Sequence, residues 1–225
     1  MKTVKISPSI LSSDFANLGN EVKKMELCQA DMLHLDVMDG AFVPNITFGP
    51  PIIKAIRKCT DLEFDVHLMI NNPLQYIEDF AKAGADIITF HTEAGSPIEE
   101  TIECIRLNGC KPALCVKPKT DITQVFPFID KISMVLIMTV EPGFGGQSFM
   151  PKMLDKIKAL DAECKRRNLF IDIQVDGGIN EETITLAAGA GANVFVAGSA
   201  IFGAKNPKTV IENMRNLAIT ASIQL

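Results

Sequence analysis

The stretch Met32–Gly40, MLHLDVMDG, sets a histidine and two aspartates into an otherwise apolar run. An apolar run this short, closed by a turn signal, reads as a buried strand. Side chains at i and i+2 of a strand share a face, so His34, Asp36 and Met38 point the same way. Burying charge is costly unless it is paired or bound to a metal. A buried strand that carries His34 and Asp36 on one face therefore predicts a site at its end.

The same kind of run recurs along the chain. Strands are expected in VKISPSIL, MLHLDVM, EFDVHLM, DIITFH, PALCV, MVLIMTV, IDIQVDG and NVFVAG. Amphipathic segments such as NLGNEVKKMELCQ, PLQYIEDFAKAGA, PIEETIECIRLNG and KMLDKIKALDAECKRR lie between them. AGAD at 83–86 and GAGAN at 189–193 each read as a helix end leading into a strand, with glycine at the cap. Eight such units predict an α/β fold, a single (β/α)8 TIM barrel. A doubly wound sheet would leave the near-regular repeat unexplained. No linker composition interrupts the pattern, so residues 1–225 are expected to form a single (β/α)8 barrel domain.

The chain has 225 residues, 47% of them hydrophobic, which suffices for a sizeable core. Its formal net charge is −5 and no basic stripe stands out, so nucleic acid is not an expected partner. A negative protein can still hold a small phosphorylated substrate in a locally positive site. The six cysteines, Cys28, Cys59, Cys104, Cys110, Cys115 and Cys164, include no Cys-x-x-Cys pair and fall within patterned apolar segments. That usage predicts free thiols and a cytoplasmic location. MKTVKISPSIL lacks the apolar core and cleavage site of a signal peptide. No run is long enough for a membrane span, so no membrane partner is expected.

In a barrel the active site lies at the C-terminal ends of the strands. His34, His67 and His91 all fall there, as do Asp36 and Asp176. His34 and Asp36 on one strand, His67 on the next and Asp176 across the mouth can converge on one divalent ion. Two imidazoles and two carboxylates suit Zn, Fe, Mn or Co. Taken singly, each of these residues has a plainer structural reading; their shared position at strand ends is what points to a site. His91 reads as a fifth ligand, a hydrogen-bonding neighbour or a packed histidine. Asp39 is expected to cap the loop MDGAFVPN, and Asp65 to be paired on the inward face.

Glycine clusters supply a second signal. EPGFGGQ (Glu141–Gln147), DGGI (Asp176–Ile179) and AGSAIF (Ala197–Phe202) follow the last three expected strands. Gly-rich loops there form the usual phosphate cradle of this fold; tight turns are the plainer alternative. No Walker-type lysine is present, so no nucleoside triphosphate is implied. Met38, Met69 and Met138 fall at or just beyond strand ends, either as core filler or as an adaptable wall around a reactive centre.

Taken together, SPSILSSDF, HLDVMDGAFVPNITFGP, DVHLM, FHTEA, MTVEPGFGGQSFMPKML, QVDGGI and AGSAIF resemble the ribulose-phosphate 3-epimerase family, in order from the first strand to the last. The resemblance implies interconversion of D-ribulose 5-phosphate and D-xylulose 5-phosphate through a cis-enediolate. It implies one divalent metal ion held by His34, Asp36, His67 and Asp176, with Asp36 and Asp176 as the acid/base pair. It places Ser9, His67, Gly143, Phe144, Gly145, Gly146, Asp176, Gly177, Gly178, Gly198 and Ser199 around a phosphorylated ketose substrate, and it implies a homo-oligomer. Lys119, in KPKT, stands where the family often has a small residue. Two rivals stay open: an epimerase of a related ketose phosphate such as allulose 6-phosphate, and a non-catalytic sugar-phosphate-binding barrel. A phosphate-binding barrel decarboxylase would carry Asp-x-Lys-x-x-Asp on a strand, whereas this chain reads His-Leu-Asp-Val-Met-Asp from His34.

Overall fold

The computed structural model describes residues 2–223. Its strands are β1 (Lys5–Pro8), β2 (Met32–Met38), β3 (Glu63–Met69), β4 (Ile87–His91), β5 (Lys111–Val116), β6 (Met134–Met138), β7 (Asp172–Asp176) and β8 (Val194–Ala197). They form one parallel sheet of eight strands in the order β1-β8-β7-β6-β5-β4-β3-β2. The ends of that sheet meet at a parallel bridge between Ser9 and His34, which curls it into a nearly closed barrel.

The helices are α1 (Leu18–Leu27), α2 (Pro50–Arg57), α3 (Ile77–Ala83), α4 (Ile98–Leu107), α5 (Leu154–Arg167), α6 (Thr183–Ala188), α7 (Ser199–Phe202) and α8 (Pro207–Ser222). Pro50 and Pro51 open α2, where a missing N–H costs nothing. Gly84 ends α3 in the left-handed region at φ 105°, as AGAD predicts. The crossover from β5 to β6 departs from the regular pattern: Ile122–Phe128 winds as a 3-10 helix. Asp121 caps it by accepting the Thr123 N–H at 2.8 Å. Pro127 lies inside and lacks the N–H that a regular α-helix would use there. Ile122 and Val125 still bury their side chains, so the segment covers the barrel as a helix would.

Strand alternation divides the core in two. Leu33, Leu35 and Val37 of β2, with Phe64, Val66 and Leu68 of β3, join the large cluster between strands and helices. The other face points into the barrel. There Met32, Ile87, Ala113, Met134 and Val194 form an apolar plug. His34, Asp36, Asp65, His67, Thr89, His91 and Gln174 are also buried on this inward face. Cys28, Cys110, Cys115 and Cys164 are buried free thiols, while Cys59 and Cys104 are half-buried.

Candidate active site

Four groups expected to meet do meet. His34 Nε2 lies 3.2 Å from His67 Nδ1, 3.3 Å from Asp36 Oδ1 and 3.9 Å from Asp176 Oδ2. His67 Nδ1 lies 3.3 Å from Asp36 Oδ1. The register explains this convergence, because Asp36 of β2 pairs with His67 of β3. Ser9, at the end of β1, donates its hydroxyl to Asp36 Oδ2 at 2.6 Å.

Asp65 has the partners that an inward carboxylate requires. Its Oδ2 accepts from His34 Nδ1 at 2.8 Å and from Gln174 Nε2 at 2.7 Å, and its Oδ1 accepts the Thr89 hydroxyl at 2.7 Å. The carboxylate can only accept, so it holds the proton on His34 Nδ1 and leaves the Nε2 lone pair facing the cluster. His91 is a neighbour of the cluster: its Nε2 lies 2.9 Å from His67 Nε2. Asp39 caps its loop, with Oδ1 accepting from Ala41 and Phe42 N–H at 2.8 Å each and Oδ2 from Asn71 N–H at 2.8 Å.

The electrostatics follow from burial set against neighbours. Burial would lower His34, but the charges of Asp36 and Asp65 outweigh it and hold the imidazole pKa well above its ordinary value. Burial opposes the charge on Asp36, yet His34 and His67 hold that carboxyl well below the usual range. Burial and the Asp36 charge push Asp176 up to about 7. Its side chain keeps 18% of its surface open at the mouth. Burial lowers His67 and takes His91 down to about 4. Three carboxylates and two imidazoles thus leave a surplus of negative charge, met by protons on His34 and Asp176.

These residues fit a divalent ion. One oxygen or nitrogen from each of His34, Asp36, His67 and Asp176 lies within 4.8 Å of the others. Metal–ligand bonds of about 2.0–2.2 Å put neighbouring tetrahedral ligands roughly 3.5 Å apart. The measured separations of 3.2 to 3.9 Å bracket that value, and a dication would neutralise the surplus charge.

Above the cluster opens a cup of ≈ 590 Å³. Its lining takes in Ser9, Asp36 and Asp176, the three methionines Met38, Met69 and Met138, and Gly143–Gly146, Gly177, Gly178, Gly198 and Ser199. His34 and His67 lie beneath this lining, fully buried. The glycine loops are held from both sides. Asn45 Nδ2 donates to Gly143 O at 2.8 Å, and Gln147 Nε2 donates to Glu141 O and Phe144 O at 2.7 and 2.8 Å. Gly178 has φ 67°, and a Cβ there would fall 2.3 Å from the backbone N of Phe149, so no other residue fits. A Cβ on Gly198 would fall 2.4 Å from Ser12 Oγ. Gly198→Val is therefore expected to crowd the cup and raise KM for a phosphorylated sugar about tenfold, the scale of one lost charged hydrogen bond. Bound metal should change less. An unchanged KM would place the phosphate elsewhere.

Sequence reasoning missed Ser12 and Glu93. Ser12 sits in a 3-10 turn after β1 and lines the cup. Glu93 lies two residues beyond β4 and reaches back to His91. The family-atypical Lys119 is exposed, whereas Lys117 lays its Nζ 3.6 Å over the Phe42 ring.

The barrel and the strand-end cup together define an enzyme of the (β/α)8 class. The family described as the Ribulose-phosphate 3 epimerase family matches residues 5–202. The chain is 49% identical over 215 residues to the ribulose-phosphate 3-epimerase, cytoplasmic isoform, of Oryza sativa subsp. japonica, covering 94% of this chain and 92% of the relative. It is 49% identical over 215 residues to the ribulose-phosphate 3-epimerase of Bacillus subtilis, covering 94% and 98%. The Escherichia coli (strain K12) enzyme of the same name is 44% identical over 217 residues, covering 96% of each chain. Among solved structures, KGPDC from Streptococcus mutans matches with a TM-score of 0.72 over 98% of this chain and 99% of its own, at 17% identity, which shows a shared fold. The chain belongs to the ribulose-phosphate 3-epimerase family. It is an enzyme, an isomerase acting on a carbohydrate.

Proposed function

We propose that the chain interconverts D-ribulose 5-phosphate and D-xylulose 5-phosphate by inverting C3 through a cis-enediolate, in a metal-dependent reaction with Asp36 and Asp176 as acid and base. The observation that carries this reading is the meeting of two carboxylates and two imidazole nitrogens at the floor of a glycine-rimmed cup. The C3 proton of the ketose is acidified by the C2 carbonyl beside it. Inversion needs a proton removed from one face and another delivered to the opposite face, which suits two carboxylates on β2 and β7.

Ser9 orients Asp36 by donating to Oδ2 and leaves Oδ1 towards the imidazoles. His34, Asp36, His67 and Asp176 would hold the metal ion, which, when bound, supplies a Lewis acid for the charge that develops on the enediolate. Met38, Met69 and Met138 wall the cup with apolar, adaptable surface and keep water from the reacting carbons. The loops carrying Gly177, Gly178, Gly198 and Ser199 offer backbone N–H groups to the phosphate. A neighbour of the same fold was solved in complex with ribose 5-phosphate. A cytoplasmic setting accords with the rice relative's name and with the six free thiols.

Epimerisation of ribulose 5-phosphate, followed before and after chelation, tests the metal reading. Chelation is expected to abolish activity, and Zn, Fe, Mn or Co to restore it. His34→Ala and His67→Ala should each lower bound metal and activity together. Full activity in a demonstrably metal-free sample would overturn the metal role while leaving the epimerase assignment intact. Among the described residues no helix is long and apolar enough to cross a membrane.

A further inference from the structure

His67 uses its two ring nitrogens differently. Nδ1 faces His34 Nε2 at 3.2 Å and Asp36 Oδ1 at 3.3 Å. Nε2 faces Nε2 of His91 at 2.9 Å. Two neutral imidazole nitrogens at that distance share one proton, which belongs either to His67 or to His91. The far side of His91 decides which. Its Nδ1 lies 3.2 Å from Glu93 Oε2, and a carboxylate oxygen accepts that contact only from an N–H.

Glu93 is itself pinned. Its Oε1 accepts the backbone N–H of Lys117 at 2.7 Å and the hydroxyl of Thr120. With three donors aimed at it, the group is an acceptor throughout. His91 then keeps its proton on Nδ1 and turns a lone pair to His67, so His67 carries the proton on Nε2. The lone pair of His67 Nδ1 is left pointing into the four-group cluster.

Packing fixes the two rings. His67 and His91 stack with centroids 5.0 Å apart and planes 25° apart, and Phe42 covers His91 from the other side at 4.8 Å. Both histidines are buried.

We infer that His91 and Glu93 are positioning residues, a two-step relay that sets the tautomer of His67 and presents its Nδ1 to a divalent ion. Each imidazole of the cluster is then backed by a carboxylate, Asp65 directly on His34 and Glu93 through His91 on His67. The relay rests on the proposed metal reading, but its geometry invites one rival. His67, His91 and Cys115 also place ligand atoms within 4.8 Å of one another, so a second ion could replace the shared proton.

The test uses the zinc-loaded enzyme and nitrogen-15 NMR of the histidine rings. The relay expects the proton on Nδ1 of His91 and on Nε2 of His67, with one zinc per chain. A proton on Nε2 of His91 overturns it, as do two zinc ions per chain with no proton on either Nε2. Glu93→Gln supplies the second readout. An amide cannot accept at both of its ends, so it breaks the match with His91 or with Lys117 and Thr120. Zinc affinity, measured by competition with a chromophoric chelator, is expected to fall about 10–100-fold, the scale of losing a group that orients a ligand. Thr120→Val keeps the His91–Glu93 bond and is expected to leave that affinity nearly unchanged. Unchanged affinity in Glu93→Gln, or an equal loss in both variants, overturns the relay. If the wild-type chain takes up no divalent ion, the metal reading fails, and the ring spectrum of that same chain still decides the tautomer.

Discussion

Asp36→Asn and Asp176→Asn are each expected to lower epimerisation at least ~10²-fold in chains that still bind metal, the usual scale of a positioned acid or base. Isotope labelling separates the two-base scheme from a single shuttle. In D2O, product formed early by the wild-type enzyme should carry deuterium at C3 while unreacted substrate stays unlabelled. Each asparagine variant keeps one carboxylate and is expected to exchange the C3 hydrogen of one epimer without converting it. An early product that retains the substrate's own C3 hydrogen would mean that one group carries the proton between faces, and the role given to the second aspartate would be wrong.

Asp65→Leu is expected to cost stability on the order of 3–5 kcal/mol, read from urea unfolding. Asp65 is fully buried and accepts from His34, Gln174 and Thr89, so its loss strands three donors in the barrel interior. Burial opposes its charge, but His34, Gln174 and Thr89 outweigh burial and hold its pKa below the ordinary value. The sign follows from that depression. The stabilisation is complete above the unfolded pKa of about 4 and is lost as pH falls towards the folded one. The gap between wild type and variant should therefore narrow in acid. A loss under about 1 kcal/mol at neutral pH would show that the interior relaxes around the missing carboxylate.

The sequence displayed some of this directly and hid the rest for identifiable reasons. MLHLDVM and EFDVHLM are β2 and β3 to the residue, because each is a buried run closed by a turn. The convergence of His34, Asp36, His67 and Asp176 was legible because strand alternation and the barrel rule together place side chains without coordinates. The partners of Asp65 were not, since Gln174 lies 109 positions away and inward neighbours depend on the stagger of the barrel. His91 stayed ambiguous because a lone histidine at a strand end has the same signature whether it ligates or supports. Glu93 passed as a solvated loop acid; its turn back towards His91 depends on Lys117 and Thr120 on the next loop. The 3-10 crossover at Ile122–Phe128 carries a helix-like burial pattern, and only Pro127 betrays the tighter winding.

The seam between β1 and β2 has a consequence for how the enzyme comes into being. A lone bridge joins Ser9 to His34 there, and Ser9 also donates to Asp36. On its other edge β1 pairs with β8, Lys5 lying opposite Val194. A growing chain therefore has its first strand long before it has the partner that holds it, and the entropy of closing so large a loop falls late in folding. Until the ring shuts, the hydroxyl that steers Asp36 is missing from the mouth. Turnover by this enzyme is in that sense a readout of ring closure: an open barrel with every helix formed would still lack its latch, and the latch is part of the chemistry.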